Sequence, residues 1–548
     1  MAVSSDSTAG LRTELAAVLP KGCRFRFHHL STPPLKTDAL CSAPPDERPD
    51  RTYCEKHFLA VSVDANASDP QKRVLVLGLE IFVYTTAYAT TLFVSKADST
   101  GFLGLVSLHK GPSEGTLSKG TPSPIRQVCA AFIRHLVETR RRKGLQLVVS
   151  LFARAQDQYL FPGSAKHTGK HVLDDRGLVK WWCRVLDPLL TSPPVGRAAL
   201  PSKNIKGYLV VPGLDARETR AFIPRSSAAA SWLLGHPLER ISHYHGEFDW
   251  VPPRCLIPRF PDDPKSRFRD ELDDEAARSG SMQTLGTWKS VKTLDTFWEV
   301  MGFRQECSSG RMTGFIWVVF DDEDDRGGAR HAAESTHEAP VTPKKTTTTV
   351  DVTPNTTPRK LFPAKAEPTN AKPPSCNKEK GKKKKKKQFK GRITSRRPRI
   401  KTEQRNYLAD RPTSSKYYYW PPQGRGERLV DESDYKRTVE LLLHLDFSTL
   451  DKATGSSRRW IGEAGLWGLE VTGTREPSGF QNGEAGDMSA QINNLSGLVK
   501  RKRTDTAESE ARPGRDGEVD TGVQTLGPQS QDVVKTLGSG LVRKKPKT

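Results

Sequence analysis

One apolar run, between residues 72 and 91, constrains the fold of this chain more than any other stretch. Its side chains are mostly β-branched or aromatic and follow one another almost without interruption: Val74, Val76, Leu79, Ile81, Phe82, Val83 and Tyr84. A run of this kind is typical of a strand that is buried on both faces. We therefore expect a sheet that is covered by other elements on both sides.

Helical and strand patterns alternate around this run. Apolar residues at helical spacing predict a helix over residues 124–143, and a strand over residues 145–152 follows it directly. Similar patterns predict helices at 11–18, 177–190, 216–223, 294–301 and 434–445, and strands at 207–211 and 314–320. The alternation predicts an α/β fold in which a mixed central sheet is surrounded by helices.

Charge divides the 548 residues into folded and polar parts. The net charge is +23, and residues 326–402 alone hold 22 Lys and Arg against 5 Asp and Glu. We predict that residues 326–402 are a disordered basic insert and that residues 476–548 are a disordered tail with basic clusters. Residues 1–325 then form the first part of one domain. Residues 403–475 are too short to stand alone and close that domain.

Basic clusters and cysteine spacing indicate the compartment. Residues 497–503 and 540–547 form a near-repeat of short basic clusters, which is typical of nuclear import or nucleic-acid contact, with a plain solvated charge run as the alternative. The eight cysteines form no CxxC pair and no zinc-like spacing with histidine. An apolar signal and a segment of membrane-spanning length are both missing. We expect a nuclear, reducing location, free thiols, no metal and no membrane contact.

Two polar stretches are candidates for chemistry. In residues 260–268, two prolines bracket Asp262 and Asp263, with Lys265 and Arg267 close behind and aromatic residues at both ends. Such crowding can move the pKa of a carboxyl group toward neutrality, as a general base requires, but a solvated turn with local ion pairs is the alternative. Residues 94–101 are small and polar and follow the apolar run, where an α/β sheet commonly meets its ligand; a plain turn is the alternative there.

Common nucleotide and metalloenzyme motifs are missing from the sequence. It has no P-loop, no GxGxxG after a strand, no kinase signature and no HExxH. The acetyl-CoA signature of the common N-acetyltransferases also fails, since its nearest approach, residues 141–146, ends in Gln146. These observations leave both an enzyme and a non-catalytic chromatin or nucleic-acid binder open.

Three stretches resemble the fungal histone acetyltransferases known as the regulator-of-Ty-transposition family. They are residues 78–88 with 95–101 (GLEIFVYTTAY and SKADSTG), residues 257–268 (IPRFPDDPKSRF) and residues 303–310 with the strand that follows (FRQECSSG). The resemblance covers residues 1–325 and 403–475. It implies a lysine acetyltransferase that uses acetyl-CoA and has a fold similar to CBP-type enzymes.

The resemblance also implies a biological setting. The substrate is newly synthesised histone H3, presented with histone chaperones of the nucleosome-assembly and anti-silencing types. The expected processes are replication-coupled chromatin assembly, the DNA damage response and transcription regulation. The alternative function is a chromatin or nucleic-acid binder driven by the basic insert, whose binding would fall steeply with salt.

Residue roles follow from the same resemblance. It implies that Asp263 is the proton acceptor with Asp262 beside it, that Trp232 lines the tunnel for the substrate lysine, and that Lys265 is acetylated by the enzyme itself. A lysine amine is protonated at pH 7, so a carboxylate or an apolar tunnel must help it lose a proton. Contacts to acetyl-CoA are implied for Ala97, Asp98, Ser99, Leu108, His109, Lys110, Ala221, Phe222, Ile223 and Ser231.

Overall fold

A mixed sheet of eleven strands runs through the part of the chain that the computed structural model describes, namely residues 9–66, 69, 72–108, 123–191, 204–248, 250–281, 286–304, 307, 311–321 and 408–476. In chain order the strands are β1 (Arg24–Ser31), β2 (Leu35–Thr37), β3 (Thr52–Asp64), β4 (Arg73–Thr85), β5 (Ala89–Ser99), β6 (Gln146–Ala153), β7 (Asn204–Val210), β8 (Trp232–Leu234), β9 (Gly314–Asp321), β10 (Arg428–Leu429) and β11 (Leu469–Thr472). Their spatial order is β10-β1-β3-β4-β5-β6-β9-β7-β8, with β2 on β3 and β11 on β1.

Helices flank this sheet. In chain order those of the described residues are α1 (Ala9–Val18), α2 (Leu105–Leu108), α3 (Pro124–Arg140), α4 (Asp175–Leu186), α5 (Pro188–Thr191), α6 (Ala216–Arg220), α7 (Leu238–Ile241), α8 (His243–Glu247), α9 (Pro253–Leu256), α10 (Pro264–Arg278), α11 (Leu294–Gly302), α12 (Glu432–Leu441) and α13 (Leu450–Ala464). The predicted mixed central sheet with surrounding helices is confirmed. The predicted helix over 177–190 is two helices, because Pro188 begins a new one.

The sheet separates two hydrophobic cores, as strand β9 illustrates. Its side chains alternate between the two faces. Ile316, Val318 and Phe320 join the larger core under α3, α4, α12 and α13. Phe315 and Trp317, in contrast, join the smaller core under α10 and α11. Burial on both faces explains why β9 and β4 show near-continuous apolar sequences.

The polar residues 94–101 do not form the turn that one interpretation of the sequence gave them. Strand β5 continues through Ser99, because its backbone pairs with β4 as far as the Leu77–Ser99 partners. Pairing with a fully buried neighbouring strand outweighs the weak strand propensity of small polar residues.

Residues 408–476 return to the edge of the sheet. Strand β10 pairs with β1 in parallel and β11 pairs with β1 in antiparallel orientation, while α13 packs on β4. Trp460 of α13 is fully buried, whereas Trp467, which follows the same helix, is 87% exposed. The predicted disordered insert lies outside the described residues, as does all of the predicted tail except Glu476. Among the described residues, no helix has the length and hydrophobicity that crossing a bilayer would require.

Candidate active site

Strands β5 and β6 part from each other near the middle of the sheet. They pair in parallel from Ala89 and Gln146 as far as Val94 and Leu151, and both strands then continue without pairing to each other. Ser95 is the extra residue of a β-bulge at this point, opposite the Glu80–Ile81 step of β4. A bulge bends the strand that carries it, and bulges are frequent next to active sites.

A cavity of about 520 Å³ lies at this divergence. That volume falls within the usual range of small-molecule sites. The walls come from both strands, from the loop after β6, from the loop before α4, and from α4 itself, where Trp181 faces the cavity. In the sequence, Trp181 lies on the apolar face of the predicted helix at 177–190, a pattern that is typical of a core residue. The lining includes Val94, Ser95, Lys96, Ala97, Asp98, Ser99, Leu103, Ile125, Arg154, Tyr159, Lys170, Trp181 and Asp262.

Asp98 organises the wall of this cavity. Its Oδ2 accepts the backbone N–H groups of Tyr159 and Leu160 at 2.7 and 2.9 Å, and that of Phe161 at 3.3 Å. Its Oδ1 accepts from the ammonium of Lys170 at 2.8 Å, and both side chains are nearly buried. Because the carboxylate is saturated with donors, it fixes the loop that carries Tyr159.

Gly101 allows the loop around Lys170 to lie against the end of β5. Its φ of +90° is a conformation that side chains other than hydrogen disfavour, and a Cβ there would lie 2.5 Å from the backbone nitrogen of Lys170. The close contact brings Lys170 within reach of Asp98.

The adjacent aspartates have different surroundings. Asp262 has a left-handed backbone (φ 58°), lines the cavity, and keeps 54% of its side chain exposed. Its Oδ2 accepts the Tyr159 hydroxyl at 3.3 Å and lies 4.0 Å from the Lys96 ammonium. Asp263 is fully buried and caps α10 by accepting the backbone N–H of Lys265 at 2.9 Å. The predicted solvated turn is therefore half right: one carboxylate is solvated and the other is buried.

Lys265 forms a buried ion pair with Asp263. Its ammonium also lies 4.5 Å from the centre of the Phe315 ring and 5.8 Å from that of Trp317. Burial lowers the pKa of Lys265, and the carboxylate of Asp263 opposes that shift without cancelling it. Lys265 is therefore the partner of Asp263, whereas Asp98 holds Lys170.

The remaining predicted residues lie away from this cavity or outside the described part of the chain. Trp232 donates its indole N–H to Asp187 at 3.0 Å and packs on Gly207. Among the described residues, the walls of the cavity include neither Trp232 nor its predicted neighbours Ala221, Phe222, Ile223 and Ser231. Leu108 ends α2, whereas His109 and Lys110 are not described.

Sequence reasoning missed several residues of the site. Tyr159, Lys170 and Arg154 belong to no motif, and Lys96 lies in the stretch 95–101 without a predicted role. Only the strand divergence brings these residues together. Arg154 follows β6 directly, and its Nε is buried without a hydrogen-bond partner in the described structure. No group of three or more potential metal ligands occurs within the described ranges.

Comparison with known proteins identifies the family. The model of the histone acetyltransferase KAT11-type domain matches residues 11–146 and 142–463. The histone acetyltransferase rtt109 of Aspergillus flavus is 38% identical over 97% of this chain and 98% of its own length. That of Schizosaccharomyces pombe is 34% identical over 45% of this chain and 57% of its own length. The crystal structure of Rtt109 from Aspergillus fumigatus superposes with a TM-score of 0.60 at 35% identity, covering 85% of this chain and 100% of that one. The chain therefore belongs to the KAT11-type, or Rtt109, family of histone acetyltransferases.

Proposed function

We propose that this histone acetyltransferase transfers acetyl groups from acetyl-CoA to lysines of newly synthesised histone H3, with the cavity between β5 and β6 as its acetyl-CoA site. The observation that carries the proposal is the position of Asp262 in the wall of that cavity, next to the buried Asp263–Lys265 pair. Family membership gives histone acetylation; the choice of H3 and the residue roles are the proposal.

The cavity suits a long, partly apolar ligand that ends in phosphates. Leu103, Ile125 and Trp181 offer apolar wall, and the edge of β5 beyond Val94 offers backbone groups to the amides of a pantetheine arm. The guanidinium of Arg154 suits a phosphate group, which arginine binds through paired N–H donors. The bound ligand supplies an acetyl thioester, and the protein supplies position and proton transfer.

Two carboxylates have different roles toward the substrate lysine: one binds it and the other takes its proton. Asp262 faces the cavity and binds the incoming ammonium. Asp263 accepts the proton that this ammonium must lose before its nitrogen can attack the thioester carbon. As the new C–N bond forms, the C–S bond breaks and the thiolate of coenzyme A leaves.

Lys265 controls when Asp263 is available for this step. While its ammonium is paired with Asp263, that carboxylate is occupied by the lysine. Acetylation of Lys265 removes the positive charge and releases the buried carboxylate from this ion pair. The lowered pKa of Lys265 favours the neutral amine that self-acetylation needs.

The wider setting is part of the same proposal. We expect nuclear H3–H4 complexes to be delivered by chaperones of the nucleosome-assembly and anti-silencing types, in replication-coupled chromatin assembly and the DNA damage response. The 22 Lys and Arg residues between 326 and 402 support additional contact with nucleic acid.

The deciding experiment incubates the purified chain with labelled acetyl-CoA and H3–H4, with and without a chaperone. We expect transfer to H3 that the chaperone increases. Asp263→Asn should lower kcat by about 10²–10⁴-fold. Asp262→Asn should mainly raise KM for the histone. Asp270→Asn, on the exposed side of α10, is the matched control and should change neither constant.

Two further measurements close the test. Mass spectrometry should find acetyl on Lys265, and Lys265→Arg, which keeps the charge, should lower kcat. The proposal fails if H3 stays unlabelled under every condition, or if Asp263→Asn retains full kcat.

A further inference from the structure

A chain of polar contacts leads from the segment after the basic insert to the cavity. The hydroxyl of Tyr435, on α12, donates to Oε1 of Glu80 at 3.1 Å. Oε2 of Glu80 lies 3.3 Å from the ammonium of Lys96, and that ammonium lies 4.0 Å from Asp262. Tyr435 and Glu80 are buried, whereas Lys96 and Asp262 reach the cavity.

The register of the sheet brings Glu80 and Lys96 into contact. They are direct partners across β4 and β5, one residue beyond the bulge at Ser95. Cross-strand partners of opposite charge attract each other. A buried carboxylate also needs its partners more than an exposed one, because it has no water to replace them. Lys96 is therefore held more firmly by Glu80 than by the solvated Asp262.

We propose that Glu80, anchored by Tyr435, is a positioning residue that draws the Lys96 ammonium away from Asp262 and so keeps Asp262 free to bind the ammonium of the substrate lysine. This inference rests on the substrate-binding role proposed for Asp262. It gives the segment after the insert a part in substrate binding, since Tyr435 belongs to α12.

The contact distances agree with a Lys96 that is held by Glu80 and an Asp262 that stays open to the substrate. Lys96 lies nearer to Glu80 than to Asp262, and the hydroxyl of Tyr159 occupies only one position on Oδ2 of Asp262. An ionised carboxylate has about four acceptor positions, so room for a further ammonium remains. If Lys96 moved fully onto Asp262, it would compete with the substrate for that room.

The test neutralises Glu80 without changing its shape. Glu80→Gln can still accept the Tyr435 hydrogen bond but no longer holds the Lys96 ammonium by charge. We expect KM for H3–H4 to rise about tenfold, which corresponds to about 1.4 kcal/mol, while KM for acetyl-CoA stays unchanged and kcat stays within about twofold. Thermal unfolding of each variant reports on folding separately.

The double variant separates positioning from a structural role. Glu80→Gln combined with Lys96→Met removes the competing ammonium, so KM for H3–H4 should return to near the wild-type value. A merely structural Glu80 predicts that the second substitution makes the enzyme worse. Glu432→Gln is the control: it removes an acidic residue of α12 that pairs with Lys56, and it should leave both KM values unchanged.

Each outcome is decisive. An unchanged histone KM in Glu80→Gln, or a double variant no better than the single one, overturns the inference. Wild-type transfer to H3 tests the proposed function independently. If the wild type acetylates another histone, the same KM ratios measured on that histone decide the role of Glu80.

Discussion

Two fully buried ion pairs lie in different parts of the molecule and have different surroundings. The clamp pair is Glu55 of β3 with Arg140 of α3; the turn pair is Asp263 with Lys265 at the start of α10. In the clamp pair, Arg140 donates to Glu55 from Nε at 3.1 Å and Nη2 at 2.8 Å, and Nη2 also donates to the carbonyl of Gly424 at 2.9 Å. In the turn pair, the other neighbours of the lysine ammonium are aromatic rings.

The difference separates a structural device from a chemical one. Glu55 also lies 3.2 Å from Nε2 of His57, and although burial alone would raise the pKa of Glu55, Arg140 and His57 hold it below its usual value. A guanidinium stays charged at any physiological pH. The clamp pair therefore keeps its charge and ties α3 and β3 to the segment after the insert. A lysine can lose its charge by deprotonation or acetylation, so the turn pair can change state.

Breaking the clamp pair should have the largest effect on stability. Arg140→Met leaves Glu55 buried without its main partner, and we expect a loss of about 3–5 kcal/mol in the free energy of unfolding. Urea denaturation followed by tryptophan fluorescence measures it. Arg134→Met, on the same helix but only partly buried, should change stability by less than about 1 kcal/mol. Equal losses in the two variants would contradict the special role of the clamp pair.

Breaking the turn pair should separate stability from catalysis. Lys265→Met leaves Asp263 as an unpaired buried charge, and we expect a loss of about 3 kcal/mol. Adding Asp263→Asn removes that charge and keeps a helix cap, so most of the stability should return. Acetyl transfer should be lost in the double variant, since the proton acceptor is gone. A double-mutant cycle measured by urea denaturation and by turnover checks both halves; a double variant that retains turnover would contradict the proposed role of Asp263.

The sequence predicted regular elements well where apolar periodicity was strong. The strands around Val83 and Val318 and the helix around Phe132 lie where expected, because burial on a repeating face leaves a regular pattern. Strand β3 was missed, since charged and histidine residues such as Glu55 and His57 interrupt it. Burial of these polar side chains depends on the ion pair between Glu55 and Arg140, which lies 85 residues away in the sequence.

The candidate site was predictable only in part, for a similar reason. Resemblance pointed to Asp98, Asp262 and Asp263, and the structure surrounds each of them with distant partners. Lys170 reaches Asp98 across a loop, and Lys96 reaches Glu80 across a strand pair. Such pairings depend on sheet register and on the divergence of β5 and β6, neither of which leaves a local pattern in sequence.

Lowering the pH should reduce the free energy of unfolding gradually, and by less than breaking either ion pair does. Burial lowers the pKa of His28, which lies on β1 against Ser62 and Trp460, to about 3, with Arg26 adding to the shift. Folded His28 thus stays neutral while the unfolded chain takes up a proton below pH 6.5, so stability falls as pH falls from 6.5 toward 3. The loss from this group is about 1.4 kcal/mol per pH unit. His28→Gln should flatten the dependence of unfolding free energy on pH between 6.5 and 4.5. Lys265→Met should leave the acid slope as steep as in the wild type. A flattened acid slope in that variant would mean that the turn pair, and not His28, sets the response to acid.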